Sequence, residues 1–422
     1  LSFEAKDVLA LCLVLILAKV LTQLWLERLN RRNALAHAQG LPEAFKGIMD
    51  EGAYAKSVRY TLANGRFRQI ELVYSAAVLA AVLFSGALPW GFNRFQQGLG
   101  GAAWSMAAFL FLTGLVVSLS GLPLDWYDQF RLEERFGFNT TTQKVWWLDQ
   151  LKGLGLGLAL GYPVLWLVVK LVEWMGPAWW VWAWGALLGF QLLMAVLAPV
   201  LILPLFNRFT PLPEGSLRQR LLALAERTRF RAGSIQVMDG SKRSRHSNAF
   251  FTGFGRLRKI VLFDTLIGQL AESELEAVLA HEIGHYKKKH ILKTLAAGAL
   301  GSLAGFYLVS VLSRQEWFYR AFGFEPGNIV PALLLFGLLS GVATFWVSPL
   351  AHWWSRRHEY QADAYAAQVI GEPGPLIGAL RKLNEKNLSN LTPHPLYSGF
   401  YYSHPTLLER ERALTERLKA KG

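Results

Sequence analysis

The stretch HEIGHYKKKH, residues 281–290, sets His281 and His285 four residues apart, with Glu282 directly after the first histidine. On a helix, residues four apart lie on one face, so both imidazoles can aim at a single metal ion. A catalytic zinc takes three protein ligands and keeps a fourth position for water. Zinc brings the pKa of that water down to about 7, and a nearby carboxylate takes its proton and hands it to a leaving amine. Glu282 is the residue type and position this chemistry needs. Apolar Ile283 and small Gly284 suit a tightly packed site. So short a pattern also turns up by chance, as two ordinary surface histidines, and the weight therefore falls on a third ligand.

Glu359, in HEYQADAYA, is the candidate, with Asp363 four residues later on the same helix face. Glu359 can ligate while Asp363 hydrogen-bonds a ligand histidine and orients its ring. Alone, this pair would read as a solvated charged helix. His246, His290, His352, His358 and His394 are the rival ligands. His358 points about 100° away from Glu359 on a helix, and His290, about 2.5 turns from His281, is a poor third ligand.

The elements that must bring these residues together are membrane helices. The chain has 422 residues, 52% of them hydrophobic, with 16 tryptophans and a mean hydropathy of +0.24. Seven apolar runs are long enough to cross a bilayer as helix: 8–26, 70–90, 104–122, 153–174, 179–205, 291–312 and 330–352. The fifth contains prolines that kink or end it. The net charge of +14 is concentrated in alternate loops. Segments 28–69, 123–152, 206–290 and 353–422 hold 8, 4, 15 and 10 Lys and Arg, whereas 91–103 and 313–329 hold 1 and 2. Positive loops stay cytoplasmic, which puts both metal-site segments on the cytoplasmic side. The basicity is then a topology signal, and no nucleic-acid partner is needed to explain it. The KKK at 287–289 marks the interface, where it can also attract anionic lipid. Cys12 is the only cysteine, so no disulfide forms within the chain.

The first run has no basic n-region or small-residue cleavage site, and is expected to be a retained anchor. Four parts follow: 1–205 with five membrane helices, 206–290 with a small sheet and the HExxH helix, 291–352 with two more membrane helices, and the 353–422 segment with the third ligand. In 206–290, IQVM, NAFFTGF and KIVLF read as three strands. Ser273 and Glu276 form a capping-box pattern for a helix expected to run on into the sixth span. HPTLLERERALTERLKAKG reads as a final amphipathic helix near Pro405.

Together, HEIGHYKKKH, EYQADAYA, DGSKRSRHSNAFFTGFG with KIVLFDTL, EERFGFNTTT and YSHPTLLERERAL resemble the type I CAAX prenyl endopeptidase family, of which the heat-shock protease HtpX is a shorter relative. The resemblance covers nearly the full length. It implies one zinc per chain on His281, His285 and Glu359, with Glu282 as general base and Asp363 as a catalytic residue, a proton donor in the family although geometry favours its orienting a histidine. It further implies that Asn248, with Ala249 and Phe250 on an edge strand, contacts substrate backbone, that His404 stabilises the developing oxyanion, and that Arg410 holds substrate or Glu359.

The expected fold is mainly α: a polytopic membrane protein with seven transmembrane helices around an internal chamber, and a cytoplasmic zinc-protease domain with a small β-sheet. The expected function is zinc metalloendopeptidase. Its substrate is a peptide or protein, with a prenylated C-terminus that loses its last three residues, or a misassembled membrane protein in a bacterial host. A membrane transporter carrying zinc is the alternative. The terminal KAKG shows no retrieval signal, which favours a bacterial inner membrane over the endoplasmic reticulum.

Overall fold

The computed structural model describes residues 4–47, 49–230, 233–252 and 259–419. Long apolar helices dominate: α1 (Ala5–Ala36), α2 (Glu51–Phe84), α3 (Ala103–Tyr127), α4 (Tyr162–Met175), α5 (Trp179–Leu197) and, after the small domain, α8 (His290–Leu312) and α9 (Ile329–Ile370). Among the described residues, six helical runs are long and apolar enough to cross a membrane, because Gln143–Phe206 forms one run of 64 residues holding both α4 and α5. Gly176, at φ +53°, breaks that run, and α4 and α5 fold back against each other. Only glycine enters that backbone region at little cost. The prolines of the fifth run do not end it: Ala198–Ile202 makes one wide turn and Leu203–Phe206 resumes the helix.

These helices pack in chain order. α1 touches α2, then α2–α3, α3–α4, α4–α5, α5–α8 and α8–α9 follow, and α9 returns to α1, which closes a ring, while α9 also touches α3 and α4. One apolar core seals the end where α9 begins, built from Leu88, Phe92, Met106, Phe318, Phe322 and Val330 among others. A separate core, with Leu221, Leu224, Ile260, Leu262, Leu275, Leu279 and Ile283, lies in the small domain at the other end.

That domain contains α6 (Ser216–Arg227), a sheet, α7 (Glu272–Lys287), α10 (Gly374–Lys386), α11 (Pro395–Tyr401) and α12 (Leu407–Lys419). The sheet has four strands where three were expected: β1 (Phe209–Pro211), β2 (Ser234–Met238), β3 (Ala249–Thr252) and β4 (Lys259–Phe263), in the order β1-β2-β4-β3. β1 was missed because three residues ending in proline carry no alternation, and as an edge strand it tolerates that proline. β2 and β4 are parallel, and among the described residues β3 pairs antiparallel with β4 alone and leaves its other side open. The Gly253–Phe254 end of the expected second strand lies outside the described residues.

Two local expectations fail for stated reasons. The cap of α7 is two residues earlier: Glu274 Oε2 accepts the Ala271 N–H at 2.7 Å, and Ser273 is already inside the helix. Glu276 instead takes ion pairs from Arg220 and Arg227 across to α6. Nor does α7 continue into α8. Lys289 sits at φ +58°, a left-handed conformation rare for a residue with a Cβ, and breaks the helix between them.

EERFGFNTTT locks this domain to the ring. Arg245 N donates to Phe138 O at 3.0 Å and Thr140 N to Arg243 O at 3.3 Å. His246 stacks on Phe138 at 4.0 Å and bonds Glu133 and Asn387 at 3.2 Å each, which fixes the chain two residues before Asn248.

Candidate metal centre

α7 lies directly on the C-terminal half of α9, and Gly284 permits it. A Cβ there would stand 3.0 Å from Ala362 Cα and 3.1 Å from its carbonyl oxygen, both rigid backbone. This approach closes the sequence gap between the two motifs. His285 Nε2 lies 3.1 Å from His281 Nε2, and Glu359 offers Oε1 at 3.2 Å to the former and Oε2 at 3.4 Å to the latter. One donor atom from each of the three lies within 4.8 Å of the others.

Each histidine is held from behind. His281 Nδ1 donates to Asp363 Oδ1 at 2.8 Å, and Arg410 grips both Asp363 oxygens, at 2.5 and 2.8 Å. Arg410 is buried in that bond to Asp363. His285 Nδ1 lies 3.1 Å from His290 Nδ1, and His290 Nε2 lies 3.0 Å from Gln361 Oε1. Since the amide oxygen accepts from His290 Nε2–H, His290 Nδ1 accepts from His285 Nδ1–H. His290 is buried and stacked on His358 at 4.0 Å.

These tautomers decide what the centre can hold. With both Nδ1 protons committed outward, both Nε2 atoms present lone pairs to the oxygens of Glu359. Glu359 Oε2 is buried and accepts no hydrogen bond from any described residue. Four electron-rich atoms thus face one another with no donor between them, an arrangement that a cation satisfies. Two imidazoles and one carboxylate are a zinc donor set, and the residues fit that metal.

Glu282 follows His281 on α7, and burial holds its carboxyl pKa above the ordinary glutamate range despite the opposing pull of the histidines. His404 is exposed, with Nε2 3.5 Å from Glu359 Oε1. Asn248 is exposed at the head of β3, where its carbonyl accepts Phe263 N–H at 3.2 Å and its side-chain oxygen accepts Ala249 N–H. Phe250 packs edge-on against Phe263, so its ring serves the sheet. Spacing does not single out Gln361 and sets His290 aside as a rival ligand, because on an unbroken helix His290 would point about 140° from His285. Only the break at Lys289 turns it back.

Residues 30–208 match the family described as CAAX prenyl protease N-terminal, five membrane helices, and residues 211–418 match peptidase family M48. The chain is 37% identical to CAAX prenyl protease 1 of Saccharomyces cerevisiae over 413 residues, covering 89% of this chain and 88% of that one. It is 31% identical to the human CAAX prenyl protease 1 homolog, with the same coverage. The crystal structure of S. mikatae Ste24p superposes with a TM-score of 0.91 at 33% identity, covering 98% of this chain and all of that one. The chain belongs to the CAAX prenyl protease 1 family of M48 peptidases. It is an integral, multi-pass membrane metalloendopeptidase, and M48 peptidases bind zinc. A CAAX prenyl protease acts on proteins, so the transporter alternative falls.

Proposed function

We propose that this CAAX prenyl protease removes the last three residues of prenylated proteins at the cytoplasmic face of its membrane. The observation that carries the reading is the convergence of His281, His285 and Glu359 lone pairs beside Glu282, at the foot of a helical ring. His281, His285 and Glu359 would hold one zinc per chain, and such a metal, when bound, would supply Lewis acidity toward the scissile carbonyl and the attacking water. Glu282 accepts that water's proton and delivers it to the leaving amine. Its raised pKa suits both halves of the transfer. His404, on the open side of Glu359, donates to the developing oxyanion.

Asp363 and Arg410 keep His281 in the tautomer that ligates, and His290 with Gln361 does the same for His285. Arg410 therefore acts through Asp363. The open side of β3 adds the substrate as an extended strand, with Asn248 and Ala249 bonding its backbone and Phe250 bracing the sheet.

The ring encloses a chamber. Its support is the closed order of neighbours together with how little of each membrane window is buried, 0–17% in five of the six runs. Seven crossings follow if α4 and α5 each span. A bacterial inner membrane and an endoplasmic reticulum membrane both keep positive loops cytoplasmic, so the orientation is common to the two. Cleavage of a farnesylated CAAX peptide by purified protein tests the reading. Release of the C-terminal tripeptide, dependent on the prenyl group, is expected; equal cleavage of the unprenylated peptide would favour general membrane-protein quality control.

A further inference from the structure

The ring's basic residues are not spread evenly over its site end. Lys56, Arg59 and Arg66 stand on one stripe of α2, three to seven residues apart, and with Arg135 they line a cavity of about 380 Å³. Leu62, Ala63 and Phe136 complete its wall, and no acidic residue lines it. All four cations are exposed, and none has an ion pair or a hydrogen bond among the described residues; Arg135 lies only against the ring of its neighbour Phe136. Some cations elsewhere in this chain find partners, as Arg243 with Asp149, Arg220 with Glu276 and Arg381 with Glu411. The sidedness of membrane-protein charge accounts for basic residues at this end. It does not account for four unpaired ones converging on one cavity, where like charges repel.

Arg66 also borders a second, larger cavity of about 1040 Å³ between α1 and α2. Its lining changes character along the helices. Arg28, Arg66 and Gln69 stand at one end, and Leu24, Trp25, Ile70, Val73 and Tyr74 form the rest. From Lys56 to Arg66 is about 15 Å along α2, and from Arg66 to Tyr74 about 12 Å further into the apolar section. The two cavities therefore form one path: a basic cup outside the hydrocarbon layer and an apolar groove running into it. A molecule complementary to both carries clustered negative charge at one end and a long hydrocarbon chain at the other.

We infer that this face is a binding site for an anionic phospholipid, its phosphate in the Lys56–Arg59–Arg66–Arg135 cup and an acyl chain in the α1–α2 groove. The headgroup neutralises four crowded charges, and the groove gives the chain an apolar seat. The site borders the substrate side of the enzyme. Phe136 belongs to the cluster with Phe138 and Leu388, and His246, two residues before Asn248, rests on Phe138. A seated lipid steadies the wall on which the substrate strand begins.

The test is equilibrium binding of a fluorescent phosphatidic acid to the full chain in phosphatidylcholine nanodiscs. Each cation at such a surface is worth roughly fivefold in affinity, so Lys56→Gln with Arg59→Gln and Arg135→Gln should weaken binding about 10²-fold. Removing the same charge at Lys144, Lys242 and Arg412 should leave it within about threefold. Val73→Trp, which fills the groove with the charges intact, should also weaken binding. Soluble glycerol 3-phosphate should not compete. Equal losses in the two triple variants would reduce the site to general surface charge and overturn the proposal. So would full binding by Val73→Trp combined with competition by glycerol 3-phosphate, which would make the cup a site for a free phosphate. Zinc content serves as the folding control, since none of these residues touches the metal centre.

Discussion

Gly284 on α7 and Gly301 on α8 belong to successive helices, and a methyl group added to each meets opposite surroundings. At Gly284 it would press on the backbone of Ala362 at 3.0 Å, whereas at Gly301 nothing lies within 4 Å. The contrast extends to the two regions these glycines represent. In the small domain α6, α7, α10 and the sheet share one continuous core, with Leu221, Ile283 and Ala379 fully shielded. In the ring, the apolar window of the Gln143–Phe206 run has no buried residue, and only α9, which carries Glu359, reaches 39%. Ligand geometry needs side chains locked by dense packing. The ring needs only contact between neighbours. α9 joins the two, and the half that carries Glu359 is the half that Gly284 lets α7 approach.

The largest expected difference between the regions comes from chemistry. His404→Ala should lower turnover about 10²–10³-fold while leaving zinc bound, because an oxyanion donor acts in the transition state and holds no metal. Loss of zinc in that variant would move His404 into the ligand set. Next in size is the glycine pair. Gly284→Ala should cost about 1–3 kcal/mol by overpacking and lower zinc affinity with it. Gly301→Ala should be neutral or slightly stabilising, because alanine is the better helix former. Thermal unfolding of both variants, with zinc and with a chelator, measures this; equal effects would erase the contrast.

His290→Leu should weaken zinc binding about 10–100-fold by releasing the His285 ring. A cobalt-substituted protein would report it as a changed ligand-field spectrum, which a merely structural role for His290 would leave unaltered. The smallest effect is in pH. Burial raises the Glu282 pKa, and the base works only when deprotonated, so activity should rise with pH through a value above the ordinary glutamate range. An acid limb at or below that range would count against Glu282 as the base.

Much of the site was legible because helical spacing is a local rule. His281, Glu282 and His285 share a turn, Glu359 and Asp363 another, and hydropathy marks the apolar runs that bring the turns together. What spacing could not supply depends on departures from regular structure. The left-handed Lys289 turns His290 toward His285, and nothing in KKK signals that break. The cap at Ala271 left Glu276 free for Arg220 and Arg227, a choice made by tertiary contacts with α6. β1 is too short to alternate, and it exists because β2 offers it a partner. Arg410, which the resemblance implies holds substrate or Glu359, bonds Asp363 here, a pairing set by how α12 seats against α9.

The central claim is that His281, His285 and Glu359 hold the zinc while Glu282 moves the proton. Zinc content and cleavage of a farnesylated CAAX peptide, measured on the same preparations of wild type, Glu282→Gln and Glu359→Ala, test it most directly. The account predicts near-stoichiometric zinc with activity lost by about 10²–10⁴-fold in Glu282→Gln, and joint loss of zinc and activity in Glu359→Ala. Full zinc in Glu359→Ala, or substantial turnover in Glu282→Gln, would contradict it.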